Sequence, residues 1–284
     1  MQPNKISIII ACYNDHSFID QAVESAINQT YNNKEIIIID DGSNAQTKKA
    51  LKKLESKIDL LITQENAGVS AARNNGIEAA KGDYILILDS DDYFEPTFCK
   101  KAIKILEQNK DVKVVSCYAR WFKNYRNFKI HKPKGGGIKN YLISNSSIGN
   151  ALFRKIDWEN VGGYDEKMIK GYEDWEFFIR IHENGGFTHI IPQVLFNYRD
   201  REMSRNKKAN LLKYELLEYI YLKHAGLYKE YFPLFIQEWL ASVKKSEAFK
   251  QQVMDSLDYK IGYQLLRPLR YFGLFKKKKA TMRN

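Results

Sequence analysis

The chain has 284 residues, 44% hydrophobic and 28% charged, with a formal net charge of +11. That length can bury a sizeable core and that composition is of a folded globular protein, which excludes a disordered or fibrous chain. No apolar run approaches the roughly 20 residues of a membrane-spanning helix, and Cys12, Cys99 and Cys117, odd in number and without metal spacing, are expected as reduced, buried thiols.

Lys5 to Ala11 is apolar and rich in Ile, which predicts a first strand, followed by the polar loop Cys12-Tyr13-Asn14-Asp15. Ser17-x-x-Asp20 has the form of a capping box opening a helix, whose Phe18, Ile19, Ala22, Val23, Ala26 and Ile27 share one face. Glu35 to Ile39 predicts a second strand ending in Asp40-Asp41-Gly42-Ser43, then a helix over 45–57 and a third strand over 60–63. Asn66-Ala67-Gly68 is a turn, and 69–80 a helix stopped by Gly82. Tyr84 to Leu88 is apolar throughout, so a fourth strand is expected in the middle of a sheet covered on both faces. The order βαβαβαβ predicts a mostly parallel sheet flanked by helices. A helix over 96–109 and a strand over 112–117 follow.

The fourth strand runs directly into Asp89, Asp91 and Asp92. Carboxylates at the end of a buried strand need a partner, because unpaired buried charge is costly. An oxygen-only set of this kind suits Mg²⁺ or Mn²⁺, completed by substrate phosphates. The alternative is a solvated Asp-rich turn before the helix at Glu95-Pro96. Two acidic strand ends place both clusters on the carboxyl edge, where open α/β sheets bind ligands. Neither a G-x-G-x-x-G after the first strand nor a P-loop pattern is present.

Tyr118 to Ile130 interleaves aromatic and basic residues, which suits an acceptor-facing hairpin, an RNA-binding surface or an amphipathic strand pair. Lys134-Gly135-Gly136-Gly137 is a loop and 150–153 a strand. Trp175, Phe178, Ile179 and His182 share a helix face, so Glu173 and Asp174 occupy its first turn. There they complement the helix dipole, which also keeps a carboxylate ionised for general-base work. From Asn206 the pattern turns helical, with helices expected over 211–223, 231–249 and 253–266. The tail, from Arg267 through Lys276–Lys279, joins apolar and basic residues and suits either an anionic membrane surface or a solvated terminus.

Taken together, SIIIACYN from Ser7, EIIIIDDGS from Glu35, the block Asn66–Asp92, and VGGYDE with GYEDWEFFIRI between Val161 and Ile181 resemble the family 2 glycosyltransferases of the GT-A nucleotide-sugar fold. The resemblance covers roughly the first 200 residues and implies a GT-A domain over 1–205 with a C-terminal helical region over 206–284. It implies that Ala11, Tyr13 and Ser90 line the donor nucleotide, that Asp41 accepts from its base, and that Arg73 and Asn74 lie on a helix closing over it. Asp89 and Asp91 match the D-x-D motif, Asp91 the more direct ligand of Mn²⁺ or Mg²⁺, with Asp92 a substitute. Asp174 matches the catalytic base, with Glu173 beside it.

The implied reaction is inverting transfer of a sugar from a nucleotide diphosphate, a UDP-sugar foremost. The acceptor is a hydroxyl of a glycan or polyprenyl-linked molecule in surface-polysaccharide synthesis. Processive relatives carry Q-x-x-R-W and membrane spans; this chain has neither, so a non-processive enzyme is expected. The first residues lack a signal-peptide pattern, so a cytoplasmic enzyme is expected, peripheral on the inner face of the membrane if the tail binds it. A nucleotidyltransferase of related fold would show a Gly-rich, basic loop where ACYND stands. A non-catalytic nucleic-acid-binding protein would have no need of the acidic clusters, which repel phosphates unless a metal intervenes.

Overall fold

The computed structural model of the protein describes residues 4–123, 127–201 and 204–271. The first half alternates β1 (Ile6–Cys12), α1 (Ile19–Ile27), β2 (Lys34–Asp41), α2 (Ala45–Leu54), β3 (Leu60–Gln64), α3 (Val69–Ala79) and β4 (Tyr84–Asp89). Then come β5 (Tyr93–Phe94), α4 (Phe98–Gln108), β6 (Val112–Phe122), β7 (Phe128–His131), α5 (Ile138–Ile143), β8 (Leu152–Arg154), α6 (Lys155–Asn160), α7 (Glu173–Glu183) and β9 (Phe187–Arg199). After β9, among the described residues, lie five helices: α8 (Arg205–Leu211), α9 (Lys213–Lys223), α10 (Ala225–Glu230), α11 (Phe232–Asp255) and α12 (Leu257–Tyr271).

The described strands form one sheet in the order β3-β2-β1-β4-β8-β6-β9-β5, with β7 paired to β6. β1 lies parallel between β2 and β4, and β8 runs antiparallel between β4 and β6. Ile6, Ile8, Ile9 and Ile10 are all fully buried because β1 is covered on both faces. Each such side chain stabilises the fold by about 2 kcal/mol. Ile8 and Ile10 pack in one cluster with Ile19, Ala22 and Val23 of α1 and Phe98 of α4. On the other face α3 comes so close that a Cβ at Gly76 would stand 2.4 Å from Ile39 Cδ1 and 2.7 Å from Ile9 Cγ2.

Several boundaries differ from the sequence reading. Ser17 caps nothing: α1 begins at Ile19, and the Asp15 carbonyl accepts from the Phe18 and Ile19 N–H groups. The helix expected over 211–223 is interrupted at Leu212, which separates α8 from α9. β9 and the two-residue β5 were not anticipated, whereas the aromatic-basic stretch does form an antiparallel pair, β6 with β7. Its turn, 124–126, and the tail 272–284 lie outside the described residues.

The chain divides into a compact unit, Met1–Tyr231, and a second, Phe232–Asn284. The division falls beyond the Arg205 boundary read from sequence, because α8 to α10 bury Ala209, Leu216, Ile220 and Tyr228. Glu176 of α7 also pairs with Lys223 and His224 at 2.8 and 3.0 Å. Among the described residues no helix is long and apolar enough to cross a membrane.

Candidate active site

The carboxyl ends of the parallel strands arrive level, with Cys12 opposite Asp40 and Ala11 opposite Asp89. Asn14 adopts a left-handed conformation, φ 60°. From there its N–H donates to Ser43 Oγ at 3.1 Å and its Oδ1 accepts from the Asn44 N–H at 2.8 Å. The loops after β1 and β2 are therefore tied together, and Tyr13, 52% exposed, is left at the rim.

Asp89 Oδ1 accepts from Arg73 Nη2 at 2.7 Å and Oδ2 from Asn150 Nδ2 at 3.0 Å. Asp91 Oδ2 accepts from Arg201 Nη1 at 2.9 Å, and the same nitrogen reaches Asp15 Oδ1 at 2.6 Å. Ser90 Oγ donates to the other Asp15 oxygen at 2.7 Å. Burial, then the neighbouring Asp89, raises the Asp91 carboxyl above the usual range. The Arg201 guanidinium thus stands where two carboxylates call for a cation, and Asp89 and Asp91 remain partly exposed.

Asp92 differs. It is buried, Oδ1 accepts from the Arg199 N–H at 2.7 Å, and Oδ2 has no hydrogen-bond partner. Burial, then Asp91 and Asp89, raises its carboxyl well above the usual range, and its bond to the Arg199 N–H anchors the end of β9. Among the described residues no three or more His, Cys, Asp or Glu are grouped to hold a metal ion. Asp89 and Asp91, partly exposed at the carboxyl edge, fit a cation that draws the rest of its shell from a bound diphosphate, while Asp92 is buried beside them.

Tyr172 precedes α7 in a left-handed conformation, φ 61°, and the helix opens on two carboxylates with opposite environments. Glu173 is buried between Arg73 Nη1 and Arg205 Nη1, each 2.9 Å from Oε1. Burial pushes its carboxyl up, but Arg205 and Arg73 outweigh that and hold it at about 2. Asp174, one residue on, is raised to about 6 by burial and then by the Glu173 charge. Its Oδ2 accepts from Asn145 Nδ2 at 3.0 Å, and a Cβ at Gly149 would stand 2.8 Å from that oxygen. Neighbouring carboxylates pushed apart in this way are the mark of divided acid–base roles. Arg73, 3% exposed, joins the two halves of the site by binding Asp89 and Glu173 together.

Three residues expected at the nucleotide, Asp41, Asn74 and Arg73, are engaged within the protein itself. Asp41 is buried and both of its oxygens are taken: Oδ1 by Gln64 Nε2 and the Ala67 N–H, each at 2.8 Å, Oδ2 by Asn66 Nδ2 and the Gly68 N–H. It folds the turn before α3, and a base reaches it only by displacing one of those donors. Asn74 donates to Tyr164 O and Glu166 Oε1 and accepts from Trp158 Nε1 and the Tyr164 N–H. All four hydrogen-bonding positions of its amide are filled, so it fastens 164–166 to α3. Arg73 likewise spends its guanidinium on Asp89 and Glu173. Sequence reasoning missed Asp15, Asn145, Asn150 and Arg201. The signals were the position of Asp15 in a loop at the carboxyl edge and of Arg201 just past the last strand.

A sheet in this order, with two partly exposed carboxylates at its carboxyl edge and a third tuned separately on a helix, defines a glycosyltransferase of the GT-A fold. Residues 7–163 match the family described as Glycosyl transferase family 2, and the chain belongs to that family. It is 34% identical over 246 residues to an uncharacterized glycosyltransferase of Haemophilus influenzae, covering 78% of this chain and 76% of that one. Two solved structures share the fold. Staphylococcus aureus TarS 1-349 in complex with UDP-GlcNAc has a TM-score of 0.62 at 20% identity, over 72% of this chain and 60% of that one. The mannosyltransferase PcManGT of Pyrobaculum calidifontis, in complex with GDP-Man and Mn²⁺, has a TM-score of 0.58 at 17% identity, over 95% and 86%.

Proposed function

We propose that the protein is an inverting, metal-dependent and non-processive transferase that moves a sugar from a nucleotide diphosphate, foremost a UDP-sugar, to a hydroxyl of a glycan or lipid-linked acceptor in surface-polysaccharide synthesis. The observation that carries this reading is geometric: α7 opens on adjacent carboxylates, Glu173 tied to Arg73 and Arg205 and Asp174 held by Asn145 at 3.0 Å, and Arg73 links them to Asp89 at the end of β4. Asp174 takes the proton from the acceptor hydroxyl as that oxygen attacks the anomeric carbon. The new carbon–oxygen bond forms on the face opposite the departing nucleoside diphosphate, so one displacement inverts the configuration. Glu173 remains ionised and holds Arg73 and Arg205 in place. Tyr13 offers its exposed ring to the base.

Asp89 and Asp91 would hold Mn²⁺ or Mg²⁺, which when bound supplies positive charge to the leaving diphosphate. The fold neighbours that hold UDP-GlcNAc and GDP-Man support a nucleotide-sugar donor. The exposed Trp239, Phe249, Leu257 and Leu265 of α11 and α12, with Lys276–Lys279 beyond, support attachment to an anionic membrane surface.

Thermal unfolding in the presence of UDP, GDP or dTDP, each with Mn²⁺ or with EDTA, tests the donor reading. A ligand that binds only the native state raises the melting temperature. One nucleotide is expected to stabilise the protein with Mn²⁺ and not with EDTA; no stabilisation by any of them contradicts the reading.

A further inference from the structure

Beside the acidic edge, a cleft of about 590 Å³ opens between the β6–β7 hairpin, the end of β9 and the start of α8. One wall is aromatic. The Trp121 ring, 39% exposed, is wedged between His131 at 4.9 Å and Tyr198 at 5.3 Å, and Phe128 is 52% exposed. Exposing flat apolar surface in a cleft is unfavourable unless something covers it. A ring stacked on His131 and flanked at a tilt of 45° by Tyr198 is already held in orientation, so its exposed part gives up little freedom when a ligand lies on it.

The cleft is also basic. Lys123, Lys129 and Lys207 share one carboxylate, Asp200, with Lys207 Nζ at 2.7 Å and Lys123 Nζ at 4.0 Å. All three lower the Asp200 carboxyl, Lys207 most. Three ammonium groups against one carboxylate leave a net positive cleft that favours an anion.

The elements that line the cleft also hold the candidate site. Tyr198 and Arg199 end β9, and the Arg199 N–H binds Asp92 beside the D-x-D carboxylates. On α8, Arg205 binds Glu173, next to Asp174, while Asn210 Oδ1 accepts from Tyr172 O–H at 3.2 Å. Tyr172 is the residue immediately before the helix that carries Asp174.

We propose that this cleft is the acceptor subsite and that it takes an anionic glycan, with a sugar ring on Trp121 and a carboxylate or phosphate answered by Lys123, Lys129 and Lys207. This rests on the transferase reading above. The anion has two sources, a uronic acid within the glycan or the phosphate of a lipid-linked acceptor.

The test is quenching of tryptophan fluorescence in the full chain, wild type, Trp121→Phe and the double variant Lys129→Glu/Lys207→Glu. The probes are tetragalacturonic acid, neutral cellotetraose, geranyl diphosphate and oligo-dT. Tetragalacturonic acid or geranyl diphosphate should quench the wild type saturably, whichever is stronger naming the anion's source. The quench should vanish in Trp121→Phe, and affinity should fall roughly tenfold or more in the double variant. The inference is overturned if no acidic probe binds, if cellotetraose binds as well as they do, if quenching survives in Trp121→Phe, or if oligo-dT binds most tightly. Thermal stabilisation by UDP, GDP or dTDP with Mn²⁺, measured on the same variants, separates the two readings. If it persists while the cleft binds nothing, only the acceptor inference fails; if it is absent from the wild type, the transferase reading fails and takes the acceptor role with it.

Discussion

At the scale of single residues, the site turns on carboxylates whose neighbours decide their protonation. Asp174 can act as a base only when ionised, and its carboxyl is raised to about 6. Turnover should therefore fall as the pH drops through about 6, where an unperturbed aspartate would stay ionised to about 4. A kcat/KM profile flat from pH 5 to pH 8 would contradict this assignment. Arg201 makes a second prediction. It bridges Asp15 and Asp91 at 2.6 and 2.9 Å, so a divalent cation and this guanidinium compete for Asp91. Arg201→Gln should tighten Mn²⁺ binding by the nucleotide-free protein roughly tenfold, measured by the electron paramagnetic resonance of free Mn²⁺; unchanged or weaker binding would show that the two do not compete.

At the scale of elements, α7 is fixed to the helices after β9 by buried charge. Glu176 is fully buried and binds Arg180, Lys223 and His224. Burial pushes its carboxyl up, but His224, Arg180 and Lys223 overcome that and hold it at about 2, below the ordinary 4.5. Because the folded value is depressed, this network contributes stability above about pH 4.5 that is lost as the pH falls toward 2. Glu176→Gln should cost about 3 kcal/mol at neutral pH and flatten the acid limb of the denaturation curve; a variant as stable as wild type would contradict the role. The same scale shows what sequence made legible. β1, β2 and β4 are Ile- and Leu-rich runs buried on both faces, so their short unbroken apolar runs placed them. β9 was hidden because Pro192 and scattered polar residues interrupt its pattern, and its register against β6 shifts around Cys117 and Tyr118. β5 has two residues, too few for any period. Asp89 and Asp91 stood out as carboxylates after an apolar strand, and Asp174 through family resemblance. The arginines that position them, Arg73, Arg201 and Arg205, come from a helix interior and from beyond β9, and only the folded chain brings them together.

At the scale of the whole molecule, the described core and the candidate site lie within the first unit. The main core cluster runs from Ile6 to Phe196, whereas α11 buries no residue. A chain ending at Tyr231 is therefore expected to fold and to keep nucleotide-dependent stabilisation while losing sedimentation with anionic vesicles. Failure to fold would show that the second unit is needed for the core. The central claim is that Asp89 and Asp91 hold the donor with a metal while Asp174 performs the proton transfer. Calorimetric titration of UDP with Mn²⁺ into wild type, Asp91→Asn and Asp174→Asn, alongside turnover of the UDP-sugar, tests it most directly. Asp91→Asn should lose metal-dependent binding, whereas Asp174→Asn should bind as wild type does and turn over roughly 10³-fold more slowly. Metal-independent binding in the wild type, or an Asp174→Asn variant that keeps full turnover, would contradict the account.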